Sequence, residues 1–143
     1  MNSSDKPTWG FLIHDVARLA RWSFDRQSQD LGLTRAQWSV LAHLNRSNGT
    51  QQNLLAQLMD IKPITLGRHI DRLEEKGWLE RRDDPCDRRI KRVFLTDSAA
   101  PILEAMESVA QKVRKQAMAG IGRQEEGLLI DILTRMRDNL SDQ

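Results

Sequence analysis

The chain has 143 residues, of which 39% are apolar, and this is enough for one folded domain with a sizeable core. Its 22 basic and 20 acidic side chains leave a net charge of +2, so total charge does not by itself indicate a nucleic-acid partner. A single cysteine, Cys86, excludes an internal disulfide framework. Because we find neither a secretory leader nor an apolar run of the ~20 residues that span a membrane, we expect a cytoplasmic protein.

The first predicted element is a helix over residues 8–30. Its apolar residues recur at spacings of three and four, which is the period of an α-helix. They occupy more than one side of the helix, so we expect it to lie against other helices or in a subunit interface. The apolar positions are Trp9, Leu12, Ile13, Val16, Leu19, Ala20 and Phe24.

Two shorter helices are predicted next, over residues 34–49 and 52–59. Thr34 with Gln37 three residues later is a capping-box pattern, which marks a helix start, and Gly49 provides a stop. The apolar stripes of these helices are Trp38, Leu41 and Leu44 in the first, and Leu54, Leu55, Leu58 and Met59 in the second.

A further helix is predicted within residues 61–77. Pro63 suits its first turn, where a missing N–H group costs little, and Gly77 suits the position after its end. Leu66, Ile70 and Leu73 form the face expected to be buried. The opposite face is polar and mostly cationic, and carries Thr65, Arg68, His69, Arg72 and Lys76.

The hydrophobic period then changes from helix to strand. Residues 78–82 and 91–96 alternate apolar and polar side chains on either side of a loop rich in turn formers, which predicts a two-stranded hairpin. Helical periods return over residues 98–119 and 124–140, with Gly120 and Gly122 between them. Pro101 is tolerated only in a first turn, so we expect the first of these helices to start between Thr96 and Ser98.

Two short helices followed by a hairpin predict a winged helix-turn-helix. The fold class is therefore mainly α (α+β), with residues 1–33 and 97–143 as N- and C-terminal dimerisation helices around a DNA-binding region at 34–96. The second helix of such a motif enters the DNA major groove. The basic loop in 83-DDPCDRRIKRVFLT-96 would then contact phosphates or the minor groove, which attracts guanidinium groups.

An enzyme is the main alternative from another class of function. The sequence has no Gly-rich phosphate loop, nucleophile elbow or pair of carboxylates in an apolar setting, so we expect none. The three histidines, His14, His43 and His69, are widely spaced without cysteine or carboxylate clusters near them. We therefore expect no metal site and no cofactor.

Three segments carry a resemblance to a known family: 34-TRAQW-38, 71-DRLEEKG-77 and 77-GWLERRDDPCDRRIKRVFLT-96. Together they resemble the MarR family of bacterial transcription regulators, most closely its SlyA-like branch. The similarity covers roughly residues 9–140 in the same element order. The Asp-Pro-x-Asp-Arg-Arg loop followed by Leu-Thr is its most specific part.

The resemblance implies a homodimer that grips a palindromic operator in double-stranded DNA, as a nucleoid-associated repressor does. It implies that Arg88 enters the minor groove while Asp87 holds it in place, beside Arg89. It also implies an aromatic or phenolic carboxylate ligand between the dimerisation helices and the winged helix. The recognition-helix contacts it implies are Pro63, Thr65, Arg68 and His69, to which Arg72 is added here, and the ligand residues are His14, Arg18, Trp38 and Arg68.

Less specific interpretations of the same residues remain open. Arg88 and Arg89 also fit a solvated hairpin, and Trp38 also fits a core position. Gly67 within the recognition helix costs about 1 kcal/mol relative to alanine. Cys86 has no partner thiol in the chain, so a redox role would need a mixed or intersubunit disulfide. A winged helix used only for protein–protein contact is the alternative function, and it would show no steep salt dependence towards DNA.

Overall fold

The chain consists of helices and one hairpin, in the predicted order, in a computed structural model that describes residues 6–141. The predicted class, mainly α with a winged helix-turn-helix, is confirmed. Within residues 6–141, 3₁₀ turns are formed by Gln29–Leu31 and Asp97–Ala99. The elements are α1 (Trp9–Gln27), α2 (Arg35–Arg46), α3 (Gln52–Leu58), α4 (Pro63–Glu75), β1 (Leu79–Asp83), β2 (Lys91–Leu95), α5 (Ala100–Ala117) and α6 (Arg123–Ser141).

Local signals in the sequence account for several of these boundaries. Thr34 and Gln37 form the predicted capping box, in which each side chain accepts a hydrogen bond from the other's backbone N–H at 3.1 and 3.2 Å. Gly77 follows α4 with φ +80°, and the N–H groups of Gly77 and Trp78 bond back to Glu74 and Leu73. The cap thus ends the helix and turns the chain directly into β1.

The start of α5 differs from the prediction. The α-helix begins at Ala100 instead of between Thr96 and Ser98, because Asp97–Ala99 forms a 3₁₀ turn that feeds into it. Pro101 still lies in the first turn of α5, where its missing N–H has no intrahelical acceptor to lose.

One core joins α2, α3, α4, the hairpin and α5. Leu41, Leu44, Leu55, Leu66, Ile70 and Leu73 of the predicted stripes belong to it, and α5 adds Met106. Leu54 and Leu58, which were also predicted for the α3 stripe, are instead 46% and 57% exposed. The fully buried members are Val40, Leu41, Leu44, Leu55, Leu66, Ile70, Leu73 and Val93. The two strands pair antiparallel, from Leu79 opposite Leu95 to Asp83 opposite Lys91. Recognition helix and hairpin therefore share one packed interior.

The hairpin is also tied to the segment between α2 and α3. The N–H of Gly49 donates to the Val93 carbonyl, and the N–H of Val93 donates to the Thr50 carbonyl, both at 3.0 Å. Gly49 has φ +82°, and a Cβ there would lie 2.8 Å from the ring of Phe94. Only glycine fits both the backbone and the space, so this position fixes the base of the wing.

The first and last helices contribute little to that core. Neither α1 nor α6 has a buried residue, although α1 lies along α5 and Ser23 donates a hydrogen bond to Gln116 at 3.1 Å. Large apolar side chains on both helices are instead open to solvent in the single chain. No helix within residues 6–141 is long and apolar enough to cross a membrane.

Candidate nucleic-acid interface

The turn between α3 and α4 sets the angle of the helix-turn-helix. Asp60 adopts a left-handed backbone with φ 54°. Its N–H donates to the Gln57 carbonyl and that of Ile61 donates to the Ala56 carbonyl, both at 3.1 Å. This is the hydrogen-bond pattern that closes a helix end, with aspartate where glycine is more usual. Pro63 then opens α4 three residues after Asp60.

The predicted recognition face lies on the open side of α4. Pro63, Arg68 and Arg72 are exposed, whereas Thr65 and His69 are half-buried. The guanidinium groups of Arg68 and Arg72 make no ion pair with the residues that the structure describes. Thr65, Arg68, His69 and Arg72 therefore share one side of the helix, with two cations available to a ligand, while Pro63 stands at its first position.

Arg81 anchors α4 from the hairpin, a role that was not predicted from the sequence. Its guanidinium lies 2.7 Å from Asp71 and 3.2 Å from Glu74 on α4. It also donates to the Gln52 side chain on α3 at 3.1 Å and to the Gly67 carbonyl at 3.0 Å. One side chain thus joins β1 to both helices of the motif. The alternation of side chains along β1 could have indicated this role, because it places Arg81 on the same face as buried Leu79.

Asp84 organises the wing loop. Its side chain is only 9% exposed and accepts hydrogen bonds from the backbone N–H groups of Cys86, at 2.8 Å, and Asp87, at 3.2 Å. Its other oxygen accepts from Arg92 at 2.6 Å, and Arg92 donates to the Gly49 carbonyl at 3.0 Å. The Cys86 amide and then the Arg92 guanidinium hold the pKa of the Asp84 carboxyl below its usual range.

Asp87 holds Arg89 in this structure, whereas the family resemblance implied that it holds Arg88. Its carboxylate accepts from the Arg89 backbone N–H at 3.0 Å and from two guanidinium nitrogens of Arg89, each at 3.2 Å. These bonds lower the pKa of the Asp87 carboxyl. The cause is register, because a carboxylate reaches the N–H two residues ahead in an Asx turn more easily than the next side chain.

Most cations of the hairpin are already paired. Arg82 bonds Glu80 and stacks over the Phe94 ring at 4.3 Å, and Lys91 pairs with Asp83. With Arg81, Arg89 and Arg92 paired as described above, Arg88 is the hairpin cation that has no carboxylate partner within residues 6–141. Charge density in the sequence therefore overstates the positive charge that the wing can offer.

A separate cavity of about 340 Å³ lies between α1 and α2. Its floor is apolar, with the Phe24 and Trp38 rings 5.3 Å apart, and Arg21, His43 and Arg46 stand at its edge. Among the four predicted ligand residues, Trp38 lines this cavity. His14, Arg18 and Arg68 do not: His14 is exposed on α1, Arg68 belongs to the α4 face, and Arg18 pairs with Asp15 and stacks over Trp22.

Comparison with known proteins gives the family. The sequence profile of the MarR family matches residues 31–90. The crystal structure of the transcriptional regulator PA3341 is 34% identical, with a TM-score of 0.84 over 95% of this chain and 100% of that one. The chain belongs to the MarR family.

Other MarR-family structures agree. The transcriptional regulator SlyA is 30% identical with a TM-score of 0.74, over 91% of this chain and 92% of its own. Wild-type apo MarR from E. coli is 26% identical with a TM-score of 0.77, over 92% of this chain and 98% of that one. Likeness to SlyA does not exceed likeness to PA3341, so the SlyA-like branch stays a prediction.

Membership of the MarR family makes this protein a DNA-binding transcriptional regulator and not an enzyme. The matched segment, residues 31–90, includes the capping box, the helix-turn-helix, and the first strand and loop of the hairpin described above. Within residues 6–141, no three His, Cys, Asp or Glu side chains cluster in a way that holds a metal ion.

The hydrogen bonds and ion pair of the Asp84 carboxylate yield a prediction about stability. Asp84→Asn keeps an oxygen for the two amides but loses the charge that pairs with Arg92, so its urea midpoint at pH 7 should fall below that of the native protein. The lowered pKa means that the native carboxylate stabilises the fold fully above its unfolded-state pKa of about 4, and that this advantage is lost as pH falls through the folded-state pKa.

Urea titrations of both proteins at pH 7 and pH 3, followed by tryptophan fluorescence, measure this difference. Asp83→Asn is the matched control, since it removes a carboxylate from an exposed pair with Lys91 on the same hairpin. A gap between the native protein and Asp84→Asn that stays constant from pH 7 to pH 3 would contradict the role given to the Asp84 charge.

Proposed function

We propose that the protein binds a palindromic operator sequence-specifically as a homodimer, in the cytoplasm, and that a small aromatic ligand modulates this binding. The observation that carries the proposal is the placement of free cations. Arg68 and Arg72 stand open on α4, and Arg88 stands unpaired at the tip of the wing, within the described residues. Residues 34–96 form the DNA-binding region in this proposal, and residues 1–33 and 97–143 form the dimerisation regions.

The helix α4 would read bases in the major groove. Its first turns present Pro63, Thr65 and Arg68, and a guanidinium is well suited to guanine, which offers two acceptors on one edge. His69 and Arg72 extend the same side of the helix towards the sugar–phosphate edge. Arg81 supports this assignment because it fixes α4 against the hairpin and so limits how far the helix can tilt in a groove.

The wing would contact the minor groove with its two tip arginines. Arg88 is free to follow the groove, whereas Arg89 is held by Asp87 with 91% of its side chain exposed. An arginine that is already held in one position loses less conformational freedom on binding. Asp87 therefore acts as a positioning residue for Arg89 in this proposal, and Arg88 makes the free phosphate or groove contact.

Paired salt titrations test the division between helix and wing, on an operator selected from a random duplex pool and on A·T-rich non-operator DNA. Arg88→Ala should weaken binding to both DNAs and flatten the salt dependence by about one phosphate contact. Arg68→Ala should cost ~1–3 kcal/mol on the operator and much less on other DNA, because base edges in the major groove are distinguishable.

Lys91→Ala is the control on the same hairpin, since Asp83 already neutralises this cation and its loss should leave the salt slope nearly unchanged. If Arg88→Ala leaves non-operator binding and the slope untouched, the wing is a solvated hairpin. If the native protein shows no salt-dependent duplex binding at all, the alternative of a protein–protein module replaces this proposal.

A dimer accounts for the apolar surface of α1 and α6. On α1, Trp9 is 67% and Phe11 is 71% exposed, and on α6, Leu128 is 58% and Leu140 is 64% exposed. Trp9 and Leu140 also line one groove together with Met136, so the two helices present a common apolar surface. Surfaces of this kind mark association sites, and a two-fold axis lets the same surface cover itself.

Sedimentation at micromolar concentration should show a dimer for the native protein. The double variant Leu129→Glu, Leu133→Glu places two charges on one side of α6, where Leu129 is 42% and Leu133 is 40% exposed. It should give monomers without operator affinity. Asn45→Glu adds the same kind of charge at an exposed polar site of α2 and should remain dimeric. A folded native monomer at that concentration would contradict the proposal.

The cavity between α1 and α2 is the site we propose for the ligand. Its volume falls in the range of small-molecule pockets, and its aromatic floor with cations at the rim suits an aromatic carboxylate. Arg35 is engaged with Asp25, which leaves Arg21 and Arg46 as rim guanidiniums without an ion pair to any described residue. Because the cavity joins a dimerisation helix to the winged helix, a ligand there would bias the spacing of the two recognition helices.

Benzoate and salicylate at millimolar concentration should raise the melting temperature and weaken operator binding. Arg21→Ala with Arg46→Ala should abolish both effects by removing the cations that would bind the carboxylate. Arg18→Ala, outside the cavity and paired with Asp15, should keep them. If neither acid changes melting temperature or DNA affinity of the native protein, the ligand part of the proposal is wrong.

A further inference from the structure

Ile64 is an apolar side chain on the face of α4 proposed to enter the groove. It is the second residue of the helix and is 67% exposed, whereas the other large aliphatic side chains of α4, Leu66, Ile70 and Leu73, are 0% exposed. The core therefore does not use it. It also lies on α4 and not on α1 or α6, whose apolar surface the proposed dimer would cover, so that dimer does not account for it either.

The surroundings of Ile64 indicate what kind of partner it meets. Lys62 and Pro63 precede it in the open, and Arg68 follows one helical turn later on the same side, with no ion pair to any described residue. A rim of unpaired cations disfavours an apolar protein surface, which would leave those charges desolvated and unmatched. It favours a polyanion that carries an isolated apolar group.

We propose that Ile64 reads the 5-methyl group of a thymine in the major groove, an inference that rests on the DNA binding proposed above. Among the edges of the four bases in this groove, the thymine methyl is the apolar group. A β-branched side chain suits the contact because its χ1 angle is already restricted, so little freedom is lost on binding.

The position of the thymine relative to the base read by Arg68 follows from helix geometry. Side chains four residues apart on a helix have Cβ atoms about 5–6 Å apart. Bases on one DNA strand rise about 3.4 Å per step. The thymine should therefore lie within about two base steps of the base that Arg68 contacts, in each half-site of the operator.

Replacement of single thymines by deoxyuridine tests this proposal, since it deletes the methyl group and leaves the hydrogen-bonding edge unchanged. In each half-site of the selected operator, deoxyuridine at one particular thymine position should weaken binding by the native protein. The loss in affinity should be about fourfold when one half-site is changed and about 15-fold when both are changed. Ile64→Ala should bind the thymine and deoxyuridine operators equally. Ile64→Val, which keeps a branched apolar side chain, should retain part of the preference.

Leu58→Ala is the matched control, because Leu58 is 57% exposed but lies on α3, and it should keep the full preference for thymine. The inference is overturned if Ile64→Ala loses the same factor in affinity on the thymine and deoxyuridine operators. It is also overturned if no thymine position distinguishes Ile64→Ala from the native protein. In either case, salt-dependent operator binding by the native protein leaves the proposed function standing. Loss of a protein–protein association in Ile64→Ala, without any change on DNA, also overturns it. Absence of duplex binding by the native protein overturns both.

Discussion

The guanidinium of Arg81 is the contact on which the arrangement of this winged helix depends. It is 24% exposed and bridges Gln52 on α3, Asp71 and Glu74 on α4, and the Gly67 carbonyl. An arginine in such a setting has nearly all of its donors satisfied at fixed angles, which a lysine in its place could not match. Removing it would leave two acidic groups close together without their counter-charge. The relative placement of helix and hairpin is therefore set by polar geometry as well as by the shared core.

A second constraint is the distribution of acids in the hairpin. Asp83, Asp84 and Asp87 each engage a cation, and Glu80 engages another. These pairs differ in what they do. The Asp84 pair closes the loop onto the segment at Gly49, whereas the exposed pairs mainly shape the local potential. A loop that looks strongly basic in the sequence is thus a scaffold with few free charges.

Periodicity and capping signals were enough to predict the element order, because each of them acts over a few residues. The Thr34 capping box, the Gly77 cap and the buried stripe of α4 all appear where the sequence indicated. Contacts between distant segments were not predictable in this way. Nothing local pairs Arg81 with Gln52, or chooses Arg89 over Arg88 as the partner of Asp87. The predicted ligand residues show the same limit, since the cavity gathers Trp38 with side chains of α1 and α2 that share no motif.

The sparing use of free charge in the wing has a consequence for how such a protein finds its target. A chromosome offers about 10⁶–10⁹ arbitrary sites that compete for any cationic surface. Each arginine withheld by an aspartate lowers the affinity for that bulk DNA through the phosphate term, while contacts to base edges are unaffected. With Arg92 committed to Asp84 and Lys91 to Asp83, we expect fewer copies of the protein to be held at arbitrary positions on the chromosome.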